Sequence, residues 1–200
     1  MRIYKIIKNT TVEGPGNRFC IWFQGCSKHC KGCFATETWD YNAGEEYSQN
    51  ELIEMIISQK DIEGVTFLGG EPFDQSTELA KLAKKIKKNN LSIVCFTGYK
   101  IEELKAKNDD SVRELLNTID LLIDGGFEKD KFDLSRPWVG SSNQRYIYLS
   151  ERYCEQEIMK YKNKIEVHIN YDGEMEINGM GDFSKLENDF CLQLAQNNVK

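Results

Sequence analysis

Strand and helix signals alternate along the middle of the chain, and this alternation restricts the fold more than any other feature of the sequence. Short apolar runs that predict buried strands, "GVTFL", "LSIVCFTGY" and "IDLLIDGGF", are separated by segments with helical periodicity. One helical segment, "SQNELIEMIIS", begins with a capping box formed by Ser48 and Glu51. Repeated strand and helix units of this kind predict an α/β fold with a mainly parallel sheet.

The length of 200 residues limits how far such a sheet can close. A complete eight-unit barrel takes roughly 250 residues, and the sequence predicts one strand ahead of a cysteine-rich loop and about five strands after it. We therefore expect a partial, open (β/α) barrel in a single domain over residues 1–200. Ligands bind at the C-terminal ends of the strands in such sheets, where the cysteine loop, "GGEP", "TGY" and "DGGF" would meet.

A segment without periodicity, "EKDKFDLSRPWVGSSNQR", follows the last of these strands and predicts a long loop. Long loops within compact domains are usually functional or disordered. We expect residues 129–145 to contact a partner, because they carry both charges, the aromatic ring of Trp138 and no predicted core of their own.

Composition excludes several classes of partner. The net charge of −6 argues against a nucleic-acid partner, which would need a broad basic face. No apolar run approaches the roughly 20 residues of a membrane helix, and the N-terminus lacks the pattern of a secretory signal. These features predict a cytoplasmic protein without a membrane partner.

The chain contains seven cysteines, and three of them lie in one short stretch, "GCSKHCKGCF". An odd number of cysteines in a chain with no export signal argues against a disulfide framework. Clustered thiols under reducing conditions indicate metal binding, and the candidate ligands are Cys26, Cys30 and Cys33. The other cysteines are scattered singly among apolar neighbours and are expected to be small buried side chains; they are Cys20, Cys95, Cys154 and Cys191.

Zinc and an iron-sulfur cluster are the two metal sites to compare. A closed zinc site needs four ligands, and no second pair stands at zinc-like spacing. His29 lies directly beside Cys30, where the side chains diverge, and His168 in "EVHINY" is expected to be a strand residue rather than a ligand. Three thiolates suit an iron-sulfur cube and leave one iron with an open position that can bind a substrate.

The C-x3-C-x2-C spacing, followed by "GGEP", resembles the radical S-adenosylmethionine enzymes. Within that superfamily the chain is similar to the proteins that activate anaerobic ribonucleoside-triphosphate reductase. The similarity covers "VEGPGNRFCIWFQGCSKHCKGCFATETW", "GGEP", "TGYK", "IDLLIDGGF" and "PWVGSSNQR", in that order. The last of these segments is the most discriminating.

This resemblance implies a 4Fe-4S cluster held by Cys26, Cys30 and Cys33, with S-adenosylmethionine chelated by the open iron. It also implies that reductive cleavage of S-adenosylmethionine generates a glycyl radical on the large subunit of anaerobic ribonucleoside-triphosphate reductase. A reductant such as flavodoxin or ferredoxin would supply the electron. The protein's own part is to orient and shield, since the cofactor carries the hard step.

Several further residues are implied as contacts to the cofactor, and residues 143–145 as contacts to cofactor or partner. The glycines would let the backbone approach the methionine end, the carboxylates would add charge, and the aromatic ring would pack on the adenine. These residues are Gly32, Phe34, Gly69, Gly70, Glu71 and Asp124, together with the ligand Cys33.

Departures from the family and competing interpretations leave alternatives open. The segment GxIxGxGxxG of some activating enzymes is absent, and Glu71 stands where this branch often has Asp. "GGEP" can also be a plain turn, and Trp39 is expected to serve in packing. Other candidate functions are a radical S-adenosylmethionine enzyme acting on another glycyl-radical enzyme or on a small molecule, as carboxy-deazaguanine synthases do, and a non-enzymatic iron-sulfur or zinc module.

Overall fold

The computed structural model describes residues 1–169, 171–173 and 175–181; Cys191 and the tail after residue 181 lie outside the described residues. The strands are β1 (Arg2–Thr10), β2 (Arg18–Phe23), β3 (Glu45–Glu46), β4 (Gly64–Gly69), β5 (Ser92–Phe96), β6 (Leu121–Asp124), β7 (Arg145–Tyr148), β8 (Ile165–Ile169) and β9 (Met175–Gly179). The α-helices are α1 (Gln49–Ile57), α2 (Ser76–Lys88), α3 (Ile101–Ala106), α4 (Asp110–Leu116) and α5 (Glu155–Ile158).

Seven strands form one open sheet in the order β3-β1-β2-β4-β5-β6-β7. The four central strands, β2, β4, β5 and β6, are parallel, and β1 and β7 flank them in the antiparallel sense. The capping box of Ser48 and Glu51 begins α1 as predicted. This architecture confirms the predicted α/β fold with a mainly parallel, open sheet of the partial-barrel type.

The prediction of one strand before the cysteine loop was wrong, because β1 precedes β2 and pairs with it. Its sequence, "RIYKIIKNT", does not alternate cleanly between apolar and polar residues. Two irregularities in the pairing, between Ile3 and Lys5 and between Ile7 and Thr10, interrupt the period of two on which strand prediction depends.

Helices cover one face of the parallel strands and form the larger core. Strand residues Phe19, Phe67, Ile93 and Leu122 pack there with helix residues from α1, α2 and α4, and all four are fully buried. A second cluster lies around Val94, Leu121 and Ile123, and loop residues complete it: Trp138 and Val139, with Ile158 from α5.

Trp138 is therefore part of the core, with only 2% of its surface exposed. The expectation that residues 129–145 have no core of their own, and that Trp138 is available to a partner, was wrong. Its ring also packs against Tyr161 at a centroid distance of 5.0 Å. The exposed aromatic residue of this loop is Phe132.

Cysteines outside the cysteine loop fall into different environments. Cys20 and Cys95 are completely buried on strands, as predicted. Cys154 is exposed, so the prediction of burial was wrong for this residue. It stands at the N-cap of the short helix α5, where the chain turns at the surface rather than in the core.

Strands β8 and β9 form a separate hairpin that packs against the end of β1. The Glu166 carboxylate accepts hydrogen bonds from Thr10 Oγ1 at 2.6 Å and from the Thr11 amide at 3.0 Å. His168 lies on β8 as predicted, with Nε2 3.4 Å from Glu166 Oε2.

Among the described residues, none of the helices has the length and apolarity needed to cross a bilayer. The cytoplasmic location, the absence of nucleic acid and the single domain stay predictions.

Arg18, at the start of β2, is fully buried and ties three strands to the preceding turn. Its guanidinium donates to two carbonyl groups of neighbouring strands, Val65 O at 2.7 Å and Ser92 O at 3.3 Å. It donates further hydrogen bonds to Thr66 Oγ1, Pro15 O, Ser92 Oγ and Tyr153 OH. These partners are all neutral, so the buried positive charge of Arg18 is stabilised by hydrogen bonds rather than by an ion pair.

We expect Arg18→Ala to lower the free energy of unfolding by about 3 kcal/mol or more, because several buried acceptors would lose their donor together. Urea unfolding followed by circular dichroism measures this change. Arg152→Ala is the matched control: Arg152 is exposed, and a surface substitution usually costs less than about 0.5 kcal/mol. Similar midpoints for Arg18→Ala and the unchanged protein would contradict this role.

Candidate functional site

The cysteine loop leaves the C-terminal end of β2 and is braced where it begins and ends. The Gly25 amide donates to Thr38 O at 2.7 Å, and the Cys26 amide donates to Trp39 O at 3.3 Å. Within the loop, the Cys33 amide donates to Cys30 O at 3.0 Å. All three clustered cysteines thus lie on one closed segment that projects from the sheet edge.

A cavity of about 130 Å³ brings the three thiols together with the carboxyl ends of the parallel strands. The strand ends contribute residues 69–71 at the end of β4, 96–98 at the end of β5 and 125–127 after β6. The remaining lining residues are Cys26, Cys30 and Cys33 with Lys28, Trp39 and Gln144. The sequence motifs expected to gather at this edge therefore do meet there.

The thiols are partly shielded from water, which affects their protonation. Burial raises the pKa of the Cys26 and Cys30 thiols, and backbone N–H groups that point at both sulfurs act in the opposite direction. The Ala35 amide donates to Cys33 Sγ at 3.4 Å. Amide donors of this kind stabilise a thiolate, which is the form that binds metal.

In the described part of the chain, no group of three His, Cys, Asp or Glu side chains lies close enough together to coordinate a single metal ion. A cubane cluster has a different requirement, since each thiolate binds its own iron and the sulfurs surround the cluster. Three thiols on the wall of one cavity suit that requirement.

Glycines at two of the strand ends keep the cavity open near the thiols. A Cβ atom on Gly126 would lie 3.1 Å from Cys30 Sγ, and one on Gly98 would lie 2.8 Å from Cγ of Lys28. Bare backbone at these positions allows the sulfur and the strand ends to approach one another.

In the "GGEP" segment, both glycines are required by packing. Gly69 has a φ of +97°, and a Cβ atom on Gly70 would lie 2.2 Å from Gly25 O, at the root of the cysteine loop. The Gly70 amide donates to Phe23 O at 2.8 Å, and the Glu71 amide donates to Gly25 O at 2.9 Å. The segment is therefore more than a plain turn, because it fixes the position at which the cysteine loop begins.

Glu71 is buried, and its carboxylate serves as a connection between strand ends. It accepts hydrogen bonds from the Phe73 amide at 3.1 Å, from Thr97 Oγ1 at 2.8 Å and from the Gly98 amide at 2.8 Å. Burial raises the pKa of Glu71 to about 7, although these donors act in the opposite direction. The carboxylate thus couples the end of β4 to the end of β5.

Gly32 and Phe34 lie on the outer side of the cysteine loop. Gly32 has a φ of +81°, and a Cβ atom there would lie 3.2 Å from Cδ of Lys129. The side chain of Phe34 is 67% exposed and makes an edge contact with Phe127 at a centroid distance of 5.4 Å. Contact of Phe34 with an adenine ring stays a prediction.

Asp124 ends β6 but directs its carboxylate into the protein rather than to the cavity. It accepts hydrogen bonds from Arg145 Nε at 2.8 Å, Arg145 Nη2 at 2.6 Å and the Ile101 amide at 2.7 Å. The side chain is fully buried. These contacts make Asp124 part of a structural ion pair, and its position does not support contact with a cofactor.

Residues 143–145 hold the glycines that follow β6. Asn143 Nδ2 donates to Gly126 O at 2.8 Å, and Gln144 Nε2 donates to Gly125 O at 3.3 Å. Of these three residues, Gln144 is the one that lines the cavity. The segment "SSNQR" therefore supports the wall of the site that faces Cys30.

Trp39 and Lys28 are among the cavity residues that were not predicted as site residues from the sequence. Trp39, expected to serve only in packing, does stack on His29 at 4.6 Å and also lines the cavity. Lys28 lies between two of the cysteines and has Nζ 4.2 Å from the centre of the Tyr99 ring. The position of Lys28 within the cysteine motif was the available signal.

Comparisons with known proteins agree with this site. A family model described as a 4Fe-4S single cluster domain matches residues 12–147. A protein of Pasteurella multocida named anaerobic ribonucleoside-triphosphate reductase-activating protein is 35% identical over 150 residues, which are 71% of this chain and 93% of the relative. A protein of Vibrio cholerae with the same name is 34% identical over 141 residues, which are 66% of this chain and 88% of that relative.

The structure of QueE from Escherichia coli aligns with a TM-score of 0.41 and 21% identity, over 48% of this chain and 51% of that chain. A likeness at this level carries no functional information. The family match, by contrast, spans the cysteine loop and all four parallel strands whose ends line the cavity. The chain therefore belongs to the family of anaerobic ribonucleoside-triphosphate reductase-activating proteins, which are enzymes with a 4Fe-4S cluster domain.

Proposed function

We propose that this protein holds a 4Fe-4S cluster on Cys26, Cys30 and Cys33, binds S-adenosylmethionine beside it and generates a glycyl radical on the large subunit of anaerobic ribonucleoside-triphosphate reductase. The observation that carries the proposal is the shared cavity of three thiols and the parallel strand ends. The names of the relatives supply the reductase as the partner.

The donor set fits the cluster. Among the described residues three cysteines line the cavity, and three thiolates leave one iron of a cube open. When bound, the cluster supplies the electron that cleaves S-adenosylmethionine. Burial raises the pKa of the Cys26 and Cys30 thiols, and the amides directed at both sulfurs oppose that rise.

The backbone around the thiols supplies room and polar groups for the second cofactor. Bare peptide groups at Gly70, Gly98 and Gly126 border the cavity, and their carbonyl oxygens are of the kind that accept from an ammonium group. Glu71 is held by its own hydrogen bonds, so it orients the ends of β4 and β5. Its contribution to S-adenosylmethionine binding acts through the position of these two segments.

A protein substrate suits the open architecture. The sheet ends at β3 and β7 without closing, so the cavity is not enclosed on all sides. A small metabolite usually needs an enclosed pocket, whereas a glycine-bearing loop on a large protein brings its own shielding. Flavodoxin or ferredoxin would be the class of reductant that reduces the cluster.

We expect the anaerobically reconstituted and reduced protein, mixed with S-adenosylmethionine and the large reductase subunit of the same cell, to generate a glycyl radical. Electron paramagnetic resonance would show a doublet that is lost on exposure to oxygen. Two controls omit S-adenosylmethionine or use the protein without iron, and both should give no radical.

A different outcome would redirect the proposal. The protein could cleave S-adenosylmethionine, form no radical on this subunit and modify another glycyl-radical enzyme or a small molecule instead. That result would support the proposed chemistry and contradict the proposed substrate. Zinc in place of iron after anaerobic reconstitution would overturn the proposal as a whole.

A further inference from the structure

Asp74 lies three residues after Glu71 and accepts two hydrogen bonds from the cysteine loop. Its Oδ2 accepts hydrogen bonds from the Ser27 amide at 2.8 Å and from Tyr41 OH at 2.5 Å. Its Oδ1 accepts from Ser27 Oγ at 2.9 Å and from Tyr99 OH at 3.4 Å. One half-buried carboxylate thus joins the loop to two aromatic residues from different parts of the chain.

Asp74 is attached to a rigid part of the fold. It belongs to the short 3-10 turn Pro72–Gln75, which leads directly into α2 in the main core. Its amide donates to Glu71 O at 3.0 Å. The hydrogen bonds that Asp74 accepts from Ser27 therefore hold the cysteine loop at a fixed position relative to α2.

The donors to Asp74 are themselves held in place. The ring of Tyr41 lies over Gly25, where a Cβ atom would be 2.4 Å from Tyr41 Cδ1. The ring of Tyr99 contacts two ammonium groups, Lys28 Nζ at 4.2 Å and Lys107 Nζ at 3.7 Å from its centre. Both hydroxyl groups consequently reach the carboxylate from fixed directions.

We propose that Asp74 is a positioning residue that fixes the Cys26 end of the cysteine loop through Ser27 and places a negative charge near Cys26. This inference rests on the proposed cluster, and it adds to the proposed site a residue that binds no iron. Ser27 is the direct neighbour of Cys26, so two hydrogen bonds on its amide and hydroxyl restrict the direction of the adjacent thiol. A nearby anion also disfavours the addition of an electron.

The test compares Asp74→Asn with the unchanged protein, both reconstituted anaerobically. The variant keeps the shape of the side chain but loses its charge and the charge-assisted hydrogen bonds to Ser27. We expect release of iron to a chelator to become about tenfold faster, as loss of such a bond predicts. We also expect the midpoint potential of the cluster to become more positive.

Tyr41→Phe separates the two parts of the role. It removes one donor to Asp74 and keeps the negative charge, so iron release should accelerate while the midpoint potential stays the same. Asp61→Asn is the control for loss of an aspartate charge, because Asp61 is exposed and precedes β4 at the opposite end of that strand. It should change neither quantity.

The outcomes distinguish this inference from the proposed function. Failure of the unchanged protein to take up iron would overturn both. An unchanged protein that holds its cluster, with Asp74→Asn matching it in iron release and in midpoint potential, would overturn the role of Asp74 alone. Loss of secondary structure by circular dichroism in Asp74→Asn and Tyr41→Phe alike would also overturn it, because Asp74 would then be a folding residue.

Discussion

Replacement of Cys26, Cys30 or Cys33 with Ala is expected to remove the cluster and abolish cleavage of S-adenosylmethionine. Each thiol is one of the three proposed ligands that line a single cavity, so the loss of one would leave two ligands for a cube that needs three. Anaerobic reconstitution of the unchanged protein should give roughly four irons per chain, and each variant should retain little iron. Iron analysis and the visible absorbance of the cluster measure this directly.

Cys95→Ala and Cys154→Ala are the matched controls for these substitutions. Cys95 is fully buried on β5, so its loss should cost about 1 kcal/mol of stability and leave the iron content intact. Cys154 is exposed and should affect neither quantity. Equal loss of iron in all five variants would contradict the division between ligand and packing cysteines.

Gly70→Val is expected to prevent stable binding of the cluster, and this is the second large effect. The added Cβ would lie 2.2 Å from Gly25 O, so the start of the cysteine loop would have to move. The hydrogen bond from the Glu71 amide to the same carbonyl would be broken in that movement. Iron content after reconstitution and the rate of S-adenosylmethionine cleavage should both fall severely.

Gly173→Ala is a comparison for Gly70→Val, because a Cβ atom there meets nothing within 4 Å, so that its cost comes from the φ of +86° alone. It tests the general cost of replacing a glycine in a hairpin turn, away from the cysteines. If Gly70→Val kept a full complement of iron and lost only the binding of S-adenosylmethionine, Gly70 would serve the cofactor directly. The packing explanation would then be contradicted.

The central fold could be predicted from the sequence because its strands are buried on both faces. "GVTFL" and "IDLLID" are short, mostly apolar runs, and α1, which precedes the first of them, begins with a capping box. β1 escaped prediction because its pairing is irregular and its two lysines interrupt the pattern. Strand prediction fails where irregular pairing stops apolar residues from recurring at every second position.

The cysteine ligands could be proposed from spacing alone, whereas the roles of polar side chains depended on the fold. Asp124 and Glu71 both stand at strand ends, and both are candidates for a cofactor contact by sequence. In the folded chain, Arg145 engages the first and Thr97 the second. These partners are 21 and 26 residues away, so no local sequence pattern reveals them.

Trp138 shows the same limitation for a partner surface. Its segment lacks periodicity, and an aromatic residue in such a loop is a reasonable candidate for an interface. It is instead buried against β5 and β6, because the open sheet leaves an inner face that a loop must cover. The exposure of a loop aromatic depends on what the neighbouring strands leave uncovered.

The cysteine loop is closed by its own backbone hydrogen bonds, and this arrangement separates cluster loss from unfolding. The pairing of β2 with β4 and the main core include none of the three clustered thiols. Destruction of the cluster by oxygen would therefore leave the sheet and its helices assembled. A damaged molecule could be repaired by fresh iron and sulfide without passing through the unfolded state.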